Sequence, residues 1–403
     1  MKVLFITSLF PPIAGGSAVV YYNLCHQLGE KAVVLTTWRN YLNGELIENG
    51  VFKQKQNFVL KRIELLRPIL QSAPPRHLVE AIWRVLSVDI PIKIRVLWTT
   101  LEILRKENVN VICIGELYSL SWLGQILKIL TGLPCIYYIH GEEITTTSAS
   151  RFYGRGAIHT LQQAEAVIVV SHFTRSEVLH RGVHEDHVYL IMNGVDVERF
   201  TPGPKDQELT ERFGLGEKKV LLTVGRIEKR KGHDMVIQAL PEILREIPET
   251  VYMVVGVGSD LNRIKSLARE LNVTDQVIFV GRVSDEDLPR YYNTADIFVM
   301  PNRTLDNNDT EGFGLVFLEA NACSKPVVGG NAGGVPDAIV DGETGILVDG
   351  KSIKAVAIAV INLLKNENLV FQIGESGRKR ALTFDWKKKA QEFYAVCEKI
   401  VQR

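Results

Sequence analysis

The stretch Lys219–Gly232, KVLLTVGRIEKRKG, decides how the rest of the chain is interpreted. Its first part, Lys219–Val224, is apolar and β-branched after the lysine and predicts a buried strand. Gly225 follows at once, and the charged loop leads into an amphipathic pattern over Asp234–Leu244 that is typical of a helix. A strand, a loop and a helix in this order are the repeating unit of a parallel α/β sheet.

The same alternation continues on both sides of this stretch. The strand candidates before it are Val3–Thr7, Ala32–Thr36, Val109–Ile114, Cys135–His140, Ala166–Val170 and Val188–Ile191. Those after it are Val251–Val255, Gln276–Val280, Ile297–Met300, Pro326–Gly329 and Gly345–Leu347. Continuous apolar strands with helices between them indicate parallel sheets that are covered on both faces. We therefore predict an α/β protein with two doubly wound, Rossmann-like domains that face a cleft.

A chain of 403 residues is too long for one ordinary core, so two domains are expected. A boundary is visible at Val197–Asp206, where two prolines and a glycine stand among charged residues. We place the domains at 1–197 and 206–380. The remaining segment, 381–403, contains a helical pattern over Asp385–Val401 that is compatible with closing either domain.

The composition excludes several classes of protein. Hydrophobic residues make up 46% and charged residues 23% of the chain, and the net charge of +1 gives no general attraction to nucleic acid. Five scattered cysteines without a CxxC pair favour a reducing compartment. Pro11-Pro12 ends the first apolar run, so we predict no signal peptide, and we find no run of about eighteen apolar residues. We expect a cytoplasmic protein.

Ligands of doubly wound sheets bind at the carboxyl ends of strands, over loops that begin helices. The loop after Lys219–Val224 offers Arg226, whose planar fork suits phosphate oxygens, and Lys231, which is a point charge. Gly15-Gly16, between the first strand and the first helix, would let backbone amides approach an anion. A solvated basic loop and a plain tight turn are the alternatives that these residues alone leave open.

A third loop, after Ile297–Met300, carries two carboxylates that are eight residues apart, Glu311 and Glu319. We expect Glu319 to lie about two turns along the following helix, on the side of Glu311, and the amides of Phe313 to Leu315 to form a phosphate nest. Carboxylates at a helix start are also common for structural reasons. His140, at the end of a strand in the first half, is a fourth candidate, although a lone histidine is more often structural.

The chain shows no convincing pattern for a metal or a cofactor. Asp285-Glu286-Asp287 has the D-x-D form of some metal sites, but Ser284 precedes it and Leu288 follows, which is typical of a capped helix start. His184-Glu185-Asp186-His187 contains ligand types but lies between a predicted helix and strand, so we interpret it as surface. A GxxxxGK[ST] loop and a Cys/His set are missing. We predict no metal and no cofactor.

Together these residues resemble glycosyltransferase family 4, a group of retaining enzymes with the GT-B fold, over nearly the whole chain. The resemblance rests on motifs that occur in the family's order: Asn193-Gly194-Val195-Asp196, the Gly-Arg-x4-Lys-Gly loop from Gly225, Glu-x7-Glu from Glu311, and Gly333-Gly334-Val335-Pro336-Asp337. Within the family, residues 311–345 are most similar to bacterial phosphatidylinositol mannosyltransferases, which use GDP-mannose. In residues 40–105 we recognise no motif of the family.

The resemblance implies a site for a nucleoside-diphosphate sugar, GDP- or UDP-linked, that is a substrate rather than a cofactor. It implies that Arg226 and Lys231 bind the diphosphate and stabilise its charge as the glycosidic bond breaks. The amides of Gly314 and Leu315 then touch phosphate, and Gly16 lies in a loop that closes over the diphosphate. The C-terminal helix is expected to cross back onto the first domain.

The resemblance also implies contacts with the rest of the donor. Glu319 is expected to hold the ribose and Val283 to line the base. Glu311, with Phe313, is expected to contact the hexose, and His140 to lie against the transferred sugar near the acceptor. His140, Glu311, Arg226 and Lys231 form the predicted catalytic set.

The expected reaction is a retaining, metal-independent transfer of a hexose to a hydroxyl group of the acceptor. Positioning and stabilisation of the charged leaving group are then the main tasks of the protein. Two other functions remain open. One is a different enzyme on the same scaffold, a sugar phosphorylase or an epimerase, and the other is a non-catalytic subunit that binds nucleotide sugars.

The segment 51–100 carries nine Lys or Arg residues against three Asp or Glu, together with Trp83 and Trp98. One interpretation is a pair of amphipathic helices packed on the first sheet, with a solvated basic face. The other is peripheral contact with an anionic membrane at its inner face, where each basic residue contributes about 1 kcal/mol. The first interpretation fits a small soluble acceptor, and the second fits a lipid-linked one.

Overall fold

The computed structural model describes residues 1–13, 15–47, 56–69, 77–145 and 151–402. The chain divides into two compact units. The first contains the described parts of Met1–Val170, Thr174–Ile191 and Trp386–Arg403. The second contains Ser171–Phe173 and Met192–Asp385. Each unit has its own parallel sheet and its own apolar core.

Strands and helices alternate along both units. The strands are β1 Val3–Ile6, β2 Ala32–Thr37, β3 Val59–Ile63, β4 Val111–Ile114, β5 Cys135–Ile139, β6 Ala166–Val169, β7 Val188–Leu190, β8 Lys219–Val224, β9 Thr250–Val255, β10 Val277–Gly281, β11 Ile297–Met300, β12 Val327–Gly330 and β13 Ile346–Val348. The helices are α1 Gly16–Leu28, α2 Leu78–Arg84, α3 Ile90–Glu107, α4 Leu117–Thr131, α5 Glu142–Thr145, α6 Arg151–Gln162, α7 His172–His180, α8 Gln207–Arg212, α9 His233–Glu246, α10 Leu261–Glu270, α11 Leu288–Thr294, α12 Leu315–Ala322, α13 Val335–Ala338, α14 Ile353–Leu364, α15 Glu367–Ala381 and α16 Trp386–Val401. A π-helical segment, Val85–Asp89, joins α2 to α3.

The described residues of the first unit form a seven-stranded parallel sheet in the order β3-β2-β1-β4-β5-β6-β7. Its central strands are buried along their whole length, so they carry apolar residues on both faces. Strand β3 was not predicted. It lies at the sheet edge, where Val59 and Lys61 are exposed, so its sequence lacks the continuous apolar run of a buried strand.

Helix α16 closes the first unit. The Phe393 ring is fully buried and stacks on Phe5 of β1 with ring centroids 5.3 Å apart. The Tyr394 hydroxyl donates to the carbonyl of Met1 at 3.3 Å, and the Lys31 ammonium lies 4.2 Å from the Tyr394 ring centroid. The chain therefore returns to its own amino-terminal strand after it has built the second unit.

The second unit has a six-stranded parallel sheet in the order β10-β9-β8-β11-β12-β13. Its first segment is held by the backbone N–H of Val195, which donates to the Phe384 carbonyl at 2.9 Å. This bond places residues 192–197 in the second unit, slightly before the linker predicted at Val197–Asp206. The α/β, doubly wound class predicted from the sequence is confirmed for both units.

Each sheet has one point where the strand order reverses. In the first sheet it lies between β1 and β4, and in the second between β8 and β11. Loops that leave such a pair of strands diverge to opposite faces and open a crevice for ligands at the carboxyl edge.

Among the described residues, we find no single helix that is long and apolar enough to cross a membrane. Two consecutive helical segments, Ile353–Leu364 and Glu367–Phe384, are together long and apolar enough to do so, but the chain bends by 99° between them.

Candidate active site

The loops after β8 and β11 meet at the reversal point of the second sheet. Gly232, which ends the loop after β8, has φ 78°, and a Cβ there would lie 2.2 Å from the Pro301 carbonyl oxygen. Gly333, in the loop after β12, has φ 57°, and a Cβ there would lie 2.2 Å from the Glu311 carbonyl oxygen. Only glycine fits these two positions, and the close approach fixes the backbone around Lys231 and Glu311.

Lys231 and Glu311, both predicted from the sequence, are brought together. The Lys231 ammonium and Arg230 Nη1 both contact Glu311 Oε2, the second at 2.8 Å. Burial alone would raise the pKa of Glu311, but the charges of Lys231 and Arg230 outweigh it and lower the pKa to about 2. Glu311 is therefore a stable carboxylate that can accept hydrogen bonds from hydroxyl groups.

Arg226 is linked to the same group of charges. Its Nη1 lies 2.8 Å from Glu228 Oε1, and the second oxygen of Glu228 lies 3.4 Å from Arg230 Nη2. The side chain of Arg226 is 55% exposed, so its guanidinium is accessible from solvent. Arg226 is thus an accessible cation, and Lys231 is a nearly buried one. Two such cations beside a crevice are suited to bind an anion with more than one charged oxygen.

The sequence did not single out Arg230, which is buried at the centre of this cluster. Arg230 Nε also lies 3.3 Å from Asp309 Oδ1. Three cations follow one another in the stretch from Lys229 to Lys231, and their order alone does not tell which one faces inward. The short 3-10 turn over Lys229–Lys231 decides this, because it points Arg230 into the unit and leaves Lys229 exposed.

Glu319 lies in a different set of contacts from Glu311. Helix α12 begins at Leu315, so Glu319 is just over one turn from the helix start, and our expectation of two turns is wrong. Its Oε2 accepts a hydrogen bond of 2.7 Å from the Tyr292 hydroxyl. Loss of contact with water raises the pKa of Glu319.

Gly314 and Leu315 form the start of α12. Gly314 is the N-cap residue in a left-handed conformation, with φ 93°. The first N–H groups of a helix point outward along the axis and carry partial positive charge. The Phe313 ring is buried, with its centroid 6.3 Å from that of Phe384, so a ligand would meet the main chain of Phe313 and not the ring.

The remaining predicted positions lie at the carboxyl ends of other strands. Val283 is half-buried, two residues after the end of β10. Gly16 is exposed at the first position of α1, in the loop that follows β1 of the first unit. Ala14, in the same loop, lies outside the described residues.

His140 directly follows β5 of the first unit and packs among aromatic rings. Its ring stacks on Tyr138, with centroids 5.0 Å apart, and meets the edge of Tyr21 at 5.1 Å. Burial lowers the pKa of His140 to about 3, so the ring is neutral near pH 7. Among the described residues, Nε2 of His140 is buried and has no hydrogen-bond partner. This nitrogen is suited to a ligand hydroxyl.

Glu143 is a second residue that the sequence did not single out. Its Oε2 accepts the backbone N–H groups of His140, at 3.2 Å, and Gly141, at 3.0 Å. This carboxyl therefore fixes the turn that aims the His140 ring. Loss of contact with water raises the pKa of Glu143 to about 7. A carboxylate two or three residues after a glycine is common at turns, so the sequence offered little to distinguish it.

Within the described ranges, no group of three or more His, Cys, Asp or Glu side chains is arranged to hold a metal ion. The Ser284 hydroxyl accepts the Asp287 N–H at 3.2 Å across the turn Asp285–Asp287. Helix α11 begins after this turn, at Leu288, and its N-cap residue Asp287 makes no side-chain cap bond, so the expected capped helix start at Asp285 is wrong. The segment His184–His187 is a short, largely exposed 3-10 turn, as expected.

Comparison with known proteins supports the resemblance drawn from the motifs. A family model for Glycosyltransferase Family 4 matches residues 14–199, and one for Glycosyl transferases group 1 matches residues 206–380. A GDP-mannose-dependent α-(1-6)-phosphatidylinositol monomannoside mannosyltransferase from Mycolicibacterium smegmatis is 33% identical over 290 residues, which cover 71% of this chain and 75% of the relative. A D-inositol 3-phosphate glycosyltransferase from Corynebacterium diphtheriae is 30% identical over 308 residues, covering 70% and 69%.

Solved structures with the same fold cover both units. HepE of Anabaena, in complex with UDP and glucose, has a TM-score of 0.78 at 20% identity and covers 98% of each chain. Sucrose-phosphate synthase from Thermosynechococcus elongatus has a TM-score of 0.77 at 23% identity, covering 99% of this chain and 98% of that one. The fold is GT-B, as predicted, and the chain belongs to glycosyltransferase family 4 and is a glycosyltransferase.

Proposed function

We propose that this protein is a retaining, metal-independent hexosyltransferase that moves a hexose from a nucleoside-diphosphate sugar to a hydroxyl group. The observation that carries the proposal is the linked cluster of Arg226, Lys231 and Glu311 at the reversal point of the second sheet. It combines two cations for a diphosphate with one permanent carboxylate for sugar hydroxyls. The match to GDP-mannose-dependent relatives at about one-third identity supports the donor class.

The leaving group in this reaction is a charged diphosphate. Arg226 and Lys231 stabilise the charge that develops on it as the bond to the sugar breaks. Gly314 lets the main chain at the start of α12 approach the same oxygens, where the helix N-terminus adds partial positive charge. Contact with Glu311 keeps the Lys231 ammonium at the reversal point of the sheet, from which it turns to the diphosphate.

The two carboxylates have different tasks. Glu311, whose pKa is about 2, remains ionised near neutral pH and accepts hydrogen bonds from the hexose. It therefore does not act as a general acid. Glu319, which is held by Tyr292, accepts hydrogen bonds from the ribose and fixes the nucleoside.

Retention is proposed to follow from attack on the face that the diphosphate leaves. The bond between the acceptor oxygen and the anomeric carbon forms as the bond to the phosphate oxygen breaks, and the acceptor proton moves to a diphosphate oxygen. This route requires no carboxylate nucleophile. His140 is neutral near pH 7 and offers Nε2 to a hydroxyl of the transferred sugar.

Mannose from GDP-mannose is our first choice of sugar. Relatives that are 32–33% identical over about 71% of this chain are named for GDP-mannose, whereas the UDP and UDP-glucose complexes belong to a structure of about 20% identity. UDP-hexoses remain the second choice.

The acceptor is proposed to be lipid-borne and to be met at a membrane surface. None of the residues of α2, all of which the structure describes, is buried, so α2 does not pack on the sheet as an ordinary amphipathic helix. Helix α2, the π-helical segment after it and the first half of α3 share an exposed apolar face. This face consists of ten residues that are each 39–78% exposed: Leu78, Val79, Ile82, Trp83, Val85, Leu86, Val88, Ile90, Ile94 and Trp98. Helix α3 does bury one side, through Val96, Thr100, Ile103 and Leu104.

The charge of the same region fits an anionic lipid surface. Arg84, Lys93 and Arg95 lie within the segment of the apolar face. Exposed tryptophans and basic residues beside an apolar helical face are typical of interfacial helices. Lys53, Lys55 and Arg76, which contribute to the predicted positive charge, lie outside the described residues.

The test is a donor panel without an added acceptor. GDP-mannose, UDP-glucose, UDP-galactose and UDP-N-acetylglucosamine are each incubated with the protein, and release of the nucleoside diphosphate is followed. We expect slow hydrolysis of one donor, with GDP-mannose the fastest. Addition of phosphatidylinositol should accelerate release and give a glycolipid whose anomeric configuration, read by NMR, matches that of the donor.

The same panel separates the other functions. A phosphorylase would release a sugar 1-phosphate when inorganic phosphate is added. An epimerase would convert one nucleotide sugar into another without nucleotide release. A non-catalytic subunit would bind a donor and turn over none. Any of these results would replace the proposed function.

A further inference from the structure

Each of the two cations assigned to the diphosphate is paired with a carboxylate. Arg226 contacts Glu228 and Lys231 contacts Glu311, with all four side chains in one unit. A diphosphate that binds these cations has to compete with the carboxylates, which carry the same sign of charge. The carboxylates therefore need another partner if donor binding is to be favourable.

Arg230 also contacts both of these carboxylates. Its Nη2 lies 3.4 Å from Glu228 Oε2, whereas Arg226 contacts Oε1 of the same carboxylate. Its Nη1 lies 2.8 Å from Glu311 Oε2, the oxygen that Lys231 also contacts. The planar guanidinium fork makes this possible, because its donors leave in several fixed directions.

The burial of Arg230 distinguishes it from Arg226, whose side chain is 55% exposed, but not from Lys231, whose side chain is 11% exposed. The side chain of Arg230 is 8% exposed, and its Nε faces Asp309 at 3.3 Å. Its backbone is held as well, because its carbonyl accepts the Arg303 N–H at 2.8 Å. Arg230 is therefore held against the carboxylates through both its side chain and its backbone.

We propose that Arg230 is a positioning residue of the donor site: it retains Glu228 and Glu311 while Arg226 and Lys231 turn from these carboxylates to the diphosphate. This inference rests on the proposed function. Without Arg230, the carboxylates would have the diphosphate-binding cations as their main partners and would oppose donor binding.

The experiment is a double-mutant cycle on nucleotide binding, with GDP and UDP as the probes in calorimetry. We expect Arg230→Gln to weaken binding of the preferred nucleotide by about tenfold or more, because a buried charge pair is broken. Glu228→Gln alone should change the affinity by less than about threefold. Adding Glu228→Gln to Arg230→Gln should recover a large part of the loss, because one competing carboxylate is removed.

Two further variants keep the test decisive. Arg230→Lys keeps the positive charge but loses the planar guanidinium group, so this variant should bind the nucleotide more weakly than wild type. Adding Glu228→Gln should again restore part of the affinity. If Arg230→Gln does not fold, this second cycle replaces the first. The matched control is Arg290→Gln. Arg290, on α11, also contacts three carboxylates, Asp206, Glu208 and Asp287, none of which belongs to the proposed donor site, and its loss should leave nucleotide affinity unchanged.

The kinetic readout separates positioning from stability. Loss of Arg230 should raise the donor KM, whereas a purely structural defect would reduce the active fraction at an unchanged KM. Wild-type affinity in both Arg230 variants, or weakened binding that Glu228→Gln does not rescue in either, would overturn the inference. Binding of neither GDP nor UDP by the wild-type protein would overturn the proposed function and the inference with it.

Discussion

Lys231 and Glu311 form a salt bridge in which the two side chains are only 11% and 13% exposed. The pair joins the loop after β8 to the loop after β11, at the point where the strand order of the second sheet reverses. The contact keeps the Lys231 ammonium beside the ligand-binding edge of the sheet, and we expect it to turn from Glu311 to a bound diphosphate and to stabilise the leaving group there.

Lys231→Ala is expected to lower kcat by about a hundredfold or more, because removing one charged donor from a leaving group typically costs about 3–4 kcal/mol. Glu311 keeps its contact with Arg230 in this variant, so the fold should survive. Lys229→Ala, two residues away and exposed, is the control and should retain turnover. Near-normal kcat in a folded Lys231→Ala protein would mean that the diphosphate lies elsewhere.

Arg226→Lys tests the planar fork. A lysine keeps the positive charge but replaces two parallel donors by a point charge, so we expect a donor KM raised by about tenfold. Steady-state kinetics over a donor series give the value. An unchanged KM would show that Arg226 contributes charge alone, and Arg226→Gln would then be the informative variant.

The fold was largely predictable because buried parallel strands carry continuous apolar runs. β8, β9 and β11 were placed from such runs to within a residue or two. β3 was missed because an edge strand exposes part of each face and admits charged residues such as Lys61. For the segment that contains helix α2, packing on the sheet and contact with a membrane both stayed open, because apolar spacing shows that a helix has an apolar face but not what covers that face.

The candidate site was predictable where a residue belongs to a spaced motif, as Lys231 does in Gly-Arg-x4-Lys-Gly and Glu311 in Glu-x7-Glu. Lys231 and Glu311 were identified individually, but their mutual contact depends on the reversal of strand order, which no local pattern encodes. Arg230 was missed because it stands between two other cations, and one 3-10 turn decides its direction. Glu143 was missed because its function is to hold backbone N–H groups, and any acid in the turn would look the same in sequence.

Glu143 should make stability depend on pH. Loss of contact with water raises its pKa to about 7 in the folded protein, from a usual value near 4.5. The contribution of Glu143 to the free energy of unfolding is therefore complete below about pH 4.5 and is lost as the pH rises through about 7. The reason is that the carboxyl releases its proton at a lower pH in the unfolded chain than in the folded protein. Glu143→Gln, which still accepts the two N–H groups, should flatten the fall in Tm between pH 5 and 8.

The control for this measurement is Glu30→Gln, an exposed acid of the same unit, which should leave the pH profile of Tm unchanged. Calorimetric scans at intervals of one pH unit are sufficient. A Glu143→Gln profile that parallels wild type would show that the Glu143 carboxyl is ionised in the folded protein at low pH.

Full activity is expected in excess EDTA. The proposed stabilisation of the diphosphate comes from Arg226, Lys231 and the start of α12, and none of these groups needs a metal ion. Donor turnover is measured after dialysis against EDTA and again after addition of magnesium or manganese. Loss of activity that either metal restores would contradict the metal-independent mechanism and would redirect attention to Asp285 and its neighbours.

The apolar face of α2 and α3 should bind anionic vesicles. We expect wild-type protein to co-sediment with vesicles that contain phosphatidylserine or phosphatidylinositol, less with neutral vesicles, and less as salt is raised, because charge and apolar insertion act together. Replacing both Trp83 and Trp98 by serine should reduce binding several-fold. Phe371→Ser is the matched control, since Phe371 is 69% exposed but lies on α15 of the second unit. If the wild-type protein binds neither kind of vesicle, or if the tryptophan variant binds as wild type does, the apolar face does not contact lipid. Self-association of the chain through this face should then be measured by ultracentrifugation.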